Sequence, residues 1–408
     1  MEVNNENFEF LAQIKFTPQS RNHFWDLRGP YDSYRAHKAR QPAPPFYPPW
    51  YLDPGIGLGS SKLGYSFCCS RSGKGRMKVS NIGEFGLIER LRHLLSEPDP
   101  RVIVGIGDDV AVLEGPGEMF LLATCDIQVE GVHFLRSLIT PYELGRKAMA
   151  INLSDIASMG GLPDFALVSL AFPPDTELEF IDELYRGLKE EAAEAGVKIV
   201  GGNMARLPER FAVDVFLMGR VEKDLFLTRR GARPGDLLMV TGTLGDSAAG
   251  LALLLKGIRE EKFAPLYKAH FTPRARLREG RALATGKIAS SAIDVSDGLA
   301  RDLGHLCDES GVGALVRLND IPISDELKEA AAILGEDPFK LAIAGGEDYQ
   351  LLFTVPPDKA REACRALYPT PVTEIGVILE PQEGRFILMP DGSKRPLEPE
   401  GWNHFATF

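Results

Sequence analysis

From Glu84 onward the apolar residues recur with regular periods. Phe85, Ile88, Leu91 and Leu95 fall on one stripe of a helix. Val102-Ile-Val104 and Phe120-Leu-Leu122 read as strands. Pro141 to Met159 predicts a helix, with Thr140 as its N-cap, Pro141 at its first position and Gly160-Gly161 as its stop. Strands are expected over 165–172, 197–200 and 211–218, with a strongly amphipathic helix from Glu177 to Ala195 between the first two. Pro234-Gly235, inside the stretch Gly231 to Asp236, marks a break. The pattern then restarts. Strands are expected over 237–240, 292–295, 314–318, 350–355, 372–378 and 386–389. Helices are expected over 246–255, 273–285, 298–310, 324–334 and 358–367. Strands and helices mix without strict βαβ alternation, which predicts an α+β fold of two mixed α/β domains, residues 77–232 and 233–408. No internal repeat is visible.

Residues 1–76 carry none of this patterning. They contain the Pro-rich run Gln41-Pro-Ala-Pro-Pro-Phe-Tyr-Pro-Pro-Trp50, which favours extended conformations over a core. They hold ten basic and six acidic residues, so the net charge of −11 becomes −15 over the remainder. Gly73-Lys-Gly-Arg76 precedes Met77, and codons for Gly-Lys-Gly can read as a purine-rich ribosome-binding site. We therefore expect Met77 to be the true start and residues 1–76 to be an extension outside the fold, arising as an upstream reading artefact. Ser72-Gly-Lys74 is not a P-loop, because it lacks the upstream glycine and the following Ser or Thr.

A length of 408 residues is enough for two or three domains, and 44% hydrophobic with 25% charged residues is a globular composition. The acidic balance argues against a nucleic-acid partner. No apolar run reaches transmembrane length, which excludes a membrane partner by helix insertion. Five cysteines, at 68, 69, 125, 307 and 364, are scattered without zinc spacing, and a reducing cytoplasm is the simplest setting.

Six stretches set carboxylates beside glycine, serine or threonine: Gly105-Ile-Gly-Asp-Asp109, Ala123-Thr-Cys-Asp126, Asn152-Leu-Ser-Asp155, Gly242-Thr-Leu-Gly-Asp246, Ile293-Asp-Val-Ser-Asp297 and Gly345-Gly-Glu-Asp348. Backbone N–H groups at such turns cradle phosphate, and carboxylates hold Mg²⁺. Each stretch alone has a plainer reading. Asp108-Asp109 fits a solvated turn, Asp126 an Asx-turn at a strand end, and Asp246 or Asp297 a helix N-cap. Asp155 is harder to dismiss. It sits three residues after Asn152 on an apolar helix, where an unpaired carboxylate is costly. Repeated over about 240 residues, the pairing points to a nucleotide phosphate handled with magnesium.

Taken in order, these stretches resemble the thiamine-monophosphate kinases of the aminoimidazole-ribonucleotide-synthetase-like superfamily. The resemblance is carried by Gly105–Asp109, Val129-Glu-Gly-Val-His-Phe134, Lys147-Ala-Met-Ala-Ile-Asn-Leu-Ser-Asp155, Thr228–Asp236, Thr241–Ser247, Ile293–Gly298, Gly345–Tyr349 and Gly401-Trp-Asn-His-Phe405. It implies ATP-dependent phosphorylation of thiamine monophosphate to thiamine diphosphate, and a homodimer whose N-terminal domains pair in a β-barrel. It implies that Asp109, Thr124, Cys125, Asp126, Asp155, Asn203, Asp294 and Asp297 face Mg²⁺, with Asp109, Asp126 and Asp155 serving catalysis. Arg229, Ser296 and Tyr185 would contact ATP, and His133, Glu347 and Trp402 the thiamine compound. Two positions depart from the family pattern. Asn203 stands where the family often has Asp, and Cys125 where it often has Thr. Rival readings are another enzyme of the superfamily, of the aminoimidazole ribonucleotide synthetase or selenophosphate synthetase type, or a nucleotide-binding paralogue without catalysis.

Overall fold

The computed structural model describes residues 78–398 and residue 401. The first half of this region contains α1 (Gly83–Leu94), β1 (Val102–Val104), β2 (Ala111–Glu114), β3 (Met119–Val129), α2 (Pro141–Ser158), β4 (Leu162–Phe172), α3 (Leu178–Glu194), β5 (Lys198–Arg206) and β6 (Ala212–Glu222). The second half contains β7 (Leu237–Thr241), α4 (Asp246–Leu255), α5 (Ala264–Phe271), α6 (Leu277–Thr285), β8 (Ser291–Asp294), α7 (Leu299–Ser310), β9 (Gly313–Arg317), α8 (Asp325–Leu334), α9 (Pro338–Ala344), β10 (Leu351–Val355), α10 (Ala360–Ala366), β11 (Val372–Leu379), β12 (Arg385–Leu388) and β13 (Lys394–Pro396).

Each half builds one mixed sheet. The first has six strands in the order β1-β2-β3-β6-β4-β5, and the second seven in the order β13-β12-β9-β11-β7-β10-β8. All neighbours are antiparallel except β4 with β5 and β9 with β12. That accords with the absence of βαβ alternation in the sequence.

α2 is the element that joins the two halves. Thr140 caps it as the spacing predicts: its hydroxyl accepts the Glu143 N–H, and the Glu143 carboxylate accepts the Thr140 N–H. α2 packs on β3 and β6 of its own sheet, and on α5, α6 and β8 of the other half. Its apolar residues Leu144, Ala148, Met149, Leu153, Ile156 and Met159 enter a core that also takes Leu254 and Phe271 from the second half. Against α3 the approach is backbone to backbone. A Cβ on Gly145 would lie 2.1 Å from the Leu184 carbonyl oxygen, and one on Gly187 2.0 Å from that of Tyr142. α2 is thus wedged on all sides, which holds its polar side chains rigidly.

Two expected ends are corrected. The strand expected over 120–122 runs on to Val129, because β6 pairs with it over the full length of β3. Thr124 and Asp126 are therefore mid-strand, not at a strand end. The strand expected to stop before the Gly201-Gly202 pair continues to Arg206. Gly202 lies so close to Val168 that a Cβ would sit 1.8 Å from its carbonyl oxygen, so here glycine permits the ladder. The sequence pattern does not predict the short elements of weak period, β2, α5, α9 and β13.

Candidate active site

The polar face of α2 points at the strand and turns around it. The Thr124 hydroxyl donates to Asp155 Oδ2 at 2.6 Å. Asn152 is wholly buried; its Oδ1 accepts the Asp126 N–H at 3.0 Å and its amide donates to the Ala148 carbonyl. The Asp126 N–H is available because β2 pairs with β3 only as far as Ala123. Ser154 reaches the other half, donating to Asp294 Oδ2 at 2.5 Å. Asp294 is the last residue of β8.

Asp109 and Arg229 meet across 120 residues of sequence. The Arg229 guanidinium donates twice to Asp109 Oδ1, at 2.9 and 2.5 Å. The Asp109 side chain is buried, and its Oδ2 has no hydrogen-bond partner. Asp108 accepts the N–H groups of Asp109 and Arg229. The turn after β8 is held from within: the Asp302 carboxylate accepts the N–H groups of Asp297 and Gly298.

These carboxylates repel one another. Burial, then the charges of Asp126, Asp294 and Asp109, push Asp155 well above the usual carboxylate range. Burial and Asp109 push Asp294 up to about 8, and burial with Asp109 pushes Asp108 up to about 7. Burial, with Asp297 and Asp294, raises Asp302 likewise. One guanidinium, Arg229, faces most of this charge; burial works to lower its pKa, but Asp109 outweighs it and holds it protonated. The site is short of positive charge.

Mg²⁺ suits this donor set, which is hard oxygen throughout, with an orphaned carboxylate oxygen on Asp109. Among the described residues no three His, Cys, Asp or Glu side chains converge to form a complete metal cage.

Beside this cluster the loop Gly345–Tyr349 carries backbone strain. Glu347 and Tyr349 have φ of 66° and 50°, in the left-handed region that non-glycine residues rarely adopt. The loop is pinned by the Glu347 N–H to Ser296 O at 2.7 Å and the Tyr349 N–H to Val295 O at 2.8 Å. Glu347 Oε1 lies 2.7 Å from the Lys147 ammonium and Oε2 lies 3.3 Å from His270 Nδ1. Burial works to raise the Glu347 pKa, but Lys147 and His270 prevail and hold it at about 2. The buried Tyr349 phenol is pushed well up by burial, then by Glu347 and by Asp126, Asp294 and Asp155. It therefore lies within electrostatic reach of both the cluster and Glu347.

The family models for AIR synthase related protein match this chain over residues 107–221 (N-terminal domain) and 233–389 (C-terminal domain). The thiamine-monophosphate kinase of Aquifex aeolicus (strain VF5) is 40% identical over 333 residues, covering 81% of this chain and 100% of the relative. The chain belongs to the thiamine-monophosphate kinase family. The Escherichia coli (strain K12) member is 38% identical over 330 residues, covering 80% of this chain and 99% of its own length. A solved structure, AaThiL complexed with AMPPCP and TMP, is 40% identical with a TM-score of 0.72, covering 81% of this chain and 100% of that one. The chain thus has the two-domain α/β architecture of AIR synthase relatives, and is a thiamine-phosphate kinase by family.

Of the residues that the kinase-family resemblance singled out, Asp109, Thr124, Asp126, Asp155, Arg229, Asp294 and Asp297 fall in or against one electrostatic cluster, with Ser296 and Glu347 adjoining it. Others do not. Cys125 alternates to the opposite face of β3 from Thr124 and Asp126; its thiol is exposed, and burial with Asp214 and Asp126 keeps it protonated. Its side chain points away from the face that carries Thr124 and Asp126. Asn203 is on the outermost strand, β5, three strand spacings or roughly 14 Å from β3. No single ion can touch both Asn203 and Asp126 of one chain. Asn203 instead lines an open cavity of about 390 Å³ with Tyr185, Ile199, Gly201, Gly202 and Met204. His133 Nδ1 accepts the Val129 N–H within its own turn. Trp402 lies outside the described residues.

Two turns take roles other than those their sequence suggested. Asp246 does not cap α4, whose N-cap is Gly245; its carboxylate accepts from Thr243 and Ser324. The N–H groups of Gly245 and Ser247 already face the Asp348 carboxylate, so this turn is not an open phosphate cradle. Asp297 likewise does not cap α7, whose N-cap is Gly298. The sequence reading assigned no role to Lys147, Ser154, His270 or Asp302. Lys147 and Ser154 carry a signal: they are polar residues inside a helix that is otherwise apolar. Asp302 and His270 carry none, since both sit in ordinary amphipathic surroundings.

Proposed function

We propose that this protein transfers the γ-phosphoryl group of ATP to the phosphate of thiamine monophosphate, giving ADP and thiamine diphosphate. The observation that carries the reading is the crowding of Asp109, Asp126, Asp155 and Asp294, carboxylates within electrostatic reach of one another with one guanidinium among them. Such a cluster calls for cations, and phosphoryl transfer uses them. The chain's similarity to a relative solved with AMPPCP and TMP together supports the substrate pair.

The acceptor phosphate is largely a dianion near neutral pH, because its second pKa is about 6. No general base is needed, and the task is to bring two polyanions together in line. Asp109, Asp126, Asp155, Asp294 and Asp297, with the Thr124 hydroxyl, are the residues that would hold Mg²⁺. Bound there, Mg²⁺ would neutralise phosphate charge and stabilise the charge that spreads over the transferring group. Arg229 and Ser296 act toward ATP, and Tyr185 borders the cavity on that sheet. His133, Glu347 and Trp402 act toward the thiamine compound. Trp402 offers an indole face to the thiazolium cation.

The active form is a homodimer with the first-half sheets packed together. One face of that sheet is covered by α2 and α3. The other exposes Leu121, Ile127 and Phe165, and the outermost strand exposes Val200 and Met204. An apolar sheet face of this kind suits burial against a second copy. Incubating the purified protein with ATP, Mg²⁺ and thiamine monophosphate tests the reading. Thiamine diphosphate should form in step with ADP. ATP hydrolysis with no thiamine diphosphate would refute it.

A further inference from the structure

Lys147 has no exposed surface, yet it is a lysine in the middle of α2. Burying an ammonium is costly unless it is paired. Its Nζ forms an ion pair with Glu347 Oε1 at 2.7 Å, but off the line a hydrogen bond takes, so its N–H groups lack aligned acceptors. The other Glu347 oxygen faces His270 Nδ1, which in turn lies 3.1 Å from the Ser247 hydroxyl. Burial, then Lys147, lowers the His270 pKa, which favours the neutral ring beside Glu347. The Glu347 carboxylate is thereby gripped from α2 on one side and from α5 on the other. About a quarter of its side-chain surface stays open, at 26%. The backbone beneath it is in a strained left-handed conformation, which persists only where surroundings enforce it.

We propose that Lys147 is a positioning residue for acceptor recognition: its buried ammonium, with His270, fixes the Glu347 carboxylate in the orientation that receives the thiamine compound. The proposal rests on the reading above in which Glu347 contacts that substrate. It deepens that reading, because α2 also carries Asp155 eight residues on, about 12 Å along the same helix. One rigid element thus sets the acceptor contact and the carboxylate cluster in fixed relation. An ionised Glu347 only accepts hydrogen bonds, so it selects a substrate part that donates, such as an amino group on a heterocycle.

Steady-state kinetics on Lys147→Met, Lys147→Arg, Glu347→Gln and the double variant Lys147→Met/Glu347→Gln test this. Lys147→Met should raise KM for thiamine monophosphate by about tenfold or more, since losing one partner of a buried charge pair at a binding surface is costly. KM for ATP should stay within about twofold, and Lys147→Arg should recover part of the loss. The double variant should be no worse than Glu347→Gln alone, because Lys147 acts only through Glu347. Equal effects on both substrates, or additive losses in the double variant, would overturn the proposal. If Lys147→Met does not fold, the comparison of the double variant with Glu347→Gln decides, since neither leaves a carboxylate facing a neutral partner. Wild-type protein that converts no thiamine monophosphate would sink the functional reading and this inference with it. Wild-type turnover with unselective variants would sink the inference alone.

Discussion

The Glu347 backbone N–H donates to the Ser296 carbonyl oxygen at 2.7 Å, so the turn proposed to face ATP and the loop proposed to face the acceptor are one hydrogen-bonded unit. Gly346 lets them meet: a Cβ there would lie 2.4 Å from the same Ser296 oxygen. Gly346→Ala must therefore push the two turns apart. We expect a loss on the order of 2 kcal/mol in urea unfolding, and higher KM values for both ATP and thiamine monophosphate. A variant as stable and active as wild type would show that the two turns move independently.

Asp155 is wedged between Thr124 and three other carboxylates, and every neighbour but Thr124 works to neutralise it. Asp155→Asn keeps its shape and removes its charge. Single-turnover phosphoryl transfer should fall on the order of 10²-fold or more, as for loss of a key electrostatic group. The melting temperature without metal should hold or rise, since an acid crowded by other buried acids is replaced by a neutral amide. Near-normal turnover, or a defect confined to metal-free unfolding, would make Asp155 structural.

The contrast between Asp155 and Asp246 marks how far the sequence could be read. Both are carboxylates in glycine- or serine-bearing motifs. Asp155 could be read because it breaks an apolar helix whose cap, period and stop are all local, and local signals survive folding. Asp246 could not, because what occupies its turn is Asp348, about 100 residues away, whose carboxylate takes the Gly245 and Ser247 N–H groups. The pairing of Lys147 with Glu347 was hidden for the same reason. The helix period places Lys147 on the polar stripe of α2, but only the tertiary fold supplies its partner. Strand ends are not local either where the partner strand sets the length, as β6 does for β3.

The Lys147–Glu347 pair should leave a trace in acid. Lys147 and His270 hold the Glu347 pKa at about 2, against an ordinary value of 4.5. Its folded pKa is depressed, so its contribution to stability is full above pH 4.5 and is lost as pH falls toward 2. Urea midpoints of wild type and Glu347→Gln at pH 7 and pH 3 report this. The wild-type advantage should shrink at pH 3. A gap that is unchanged or wider would mean that Glu347 is not ion-paired in the fold.

Residues from Met77 onward should suffice for folding and activity, since the regular patterning starts there. A chain beginning at Met77 should match the full chain in solubility and turnover per molecule. An insoluble or inactive short chain beside an active full one would assign the first 76 residues a role.

The central claim is that the carboxylate cluster serves phosphoryl transfer to a phosphate. The most direct measurement follows thiamine diphosphate and ADP together from ATP, Mg²⁺ and thiamine monophosphate, with wild type and Asp155→Asn side by side. The account predicts one thiamine diphosphate per ADP with wild type, and product formation slowed by about 10² or more in the variant. Equal rates in the two proteins, or ADP release without thiamine diphosphate, would contradict it.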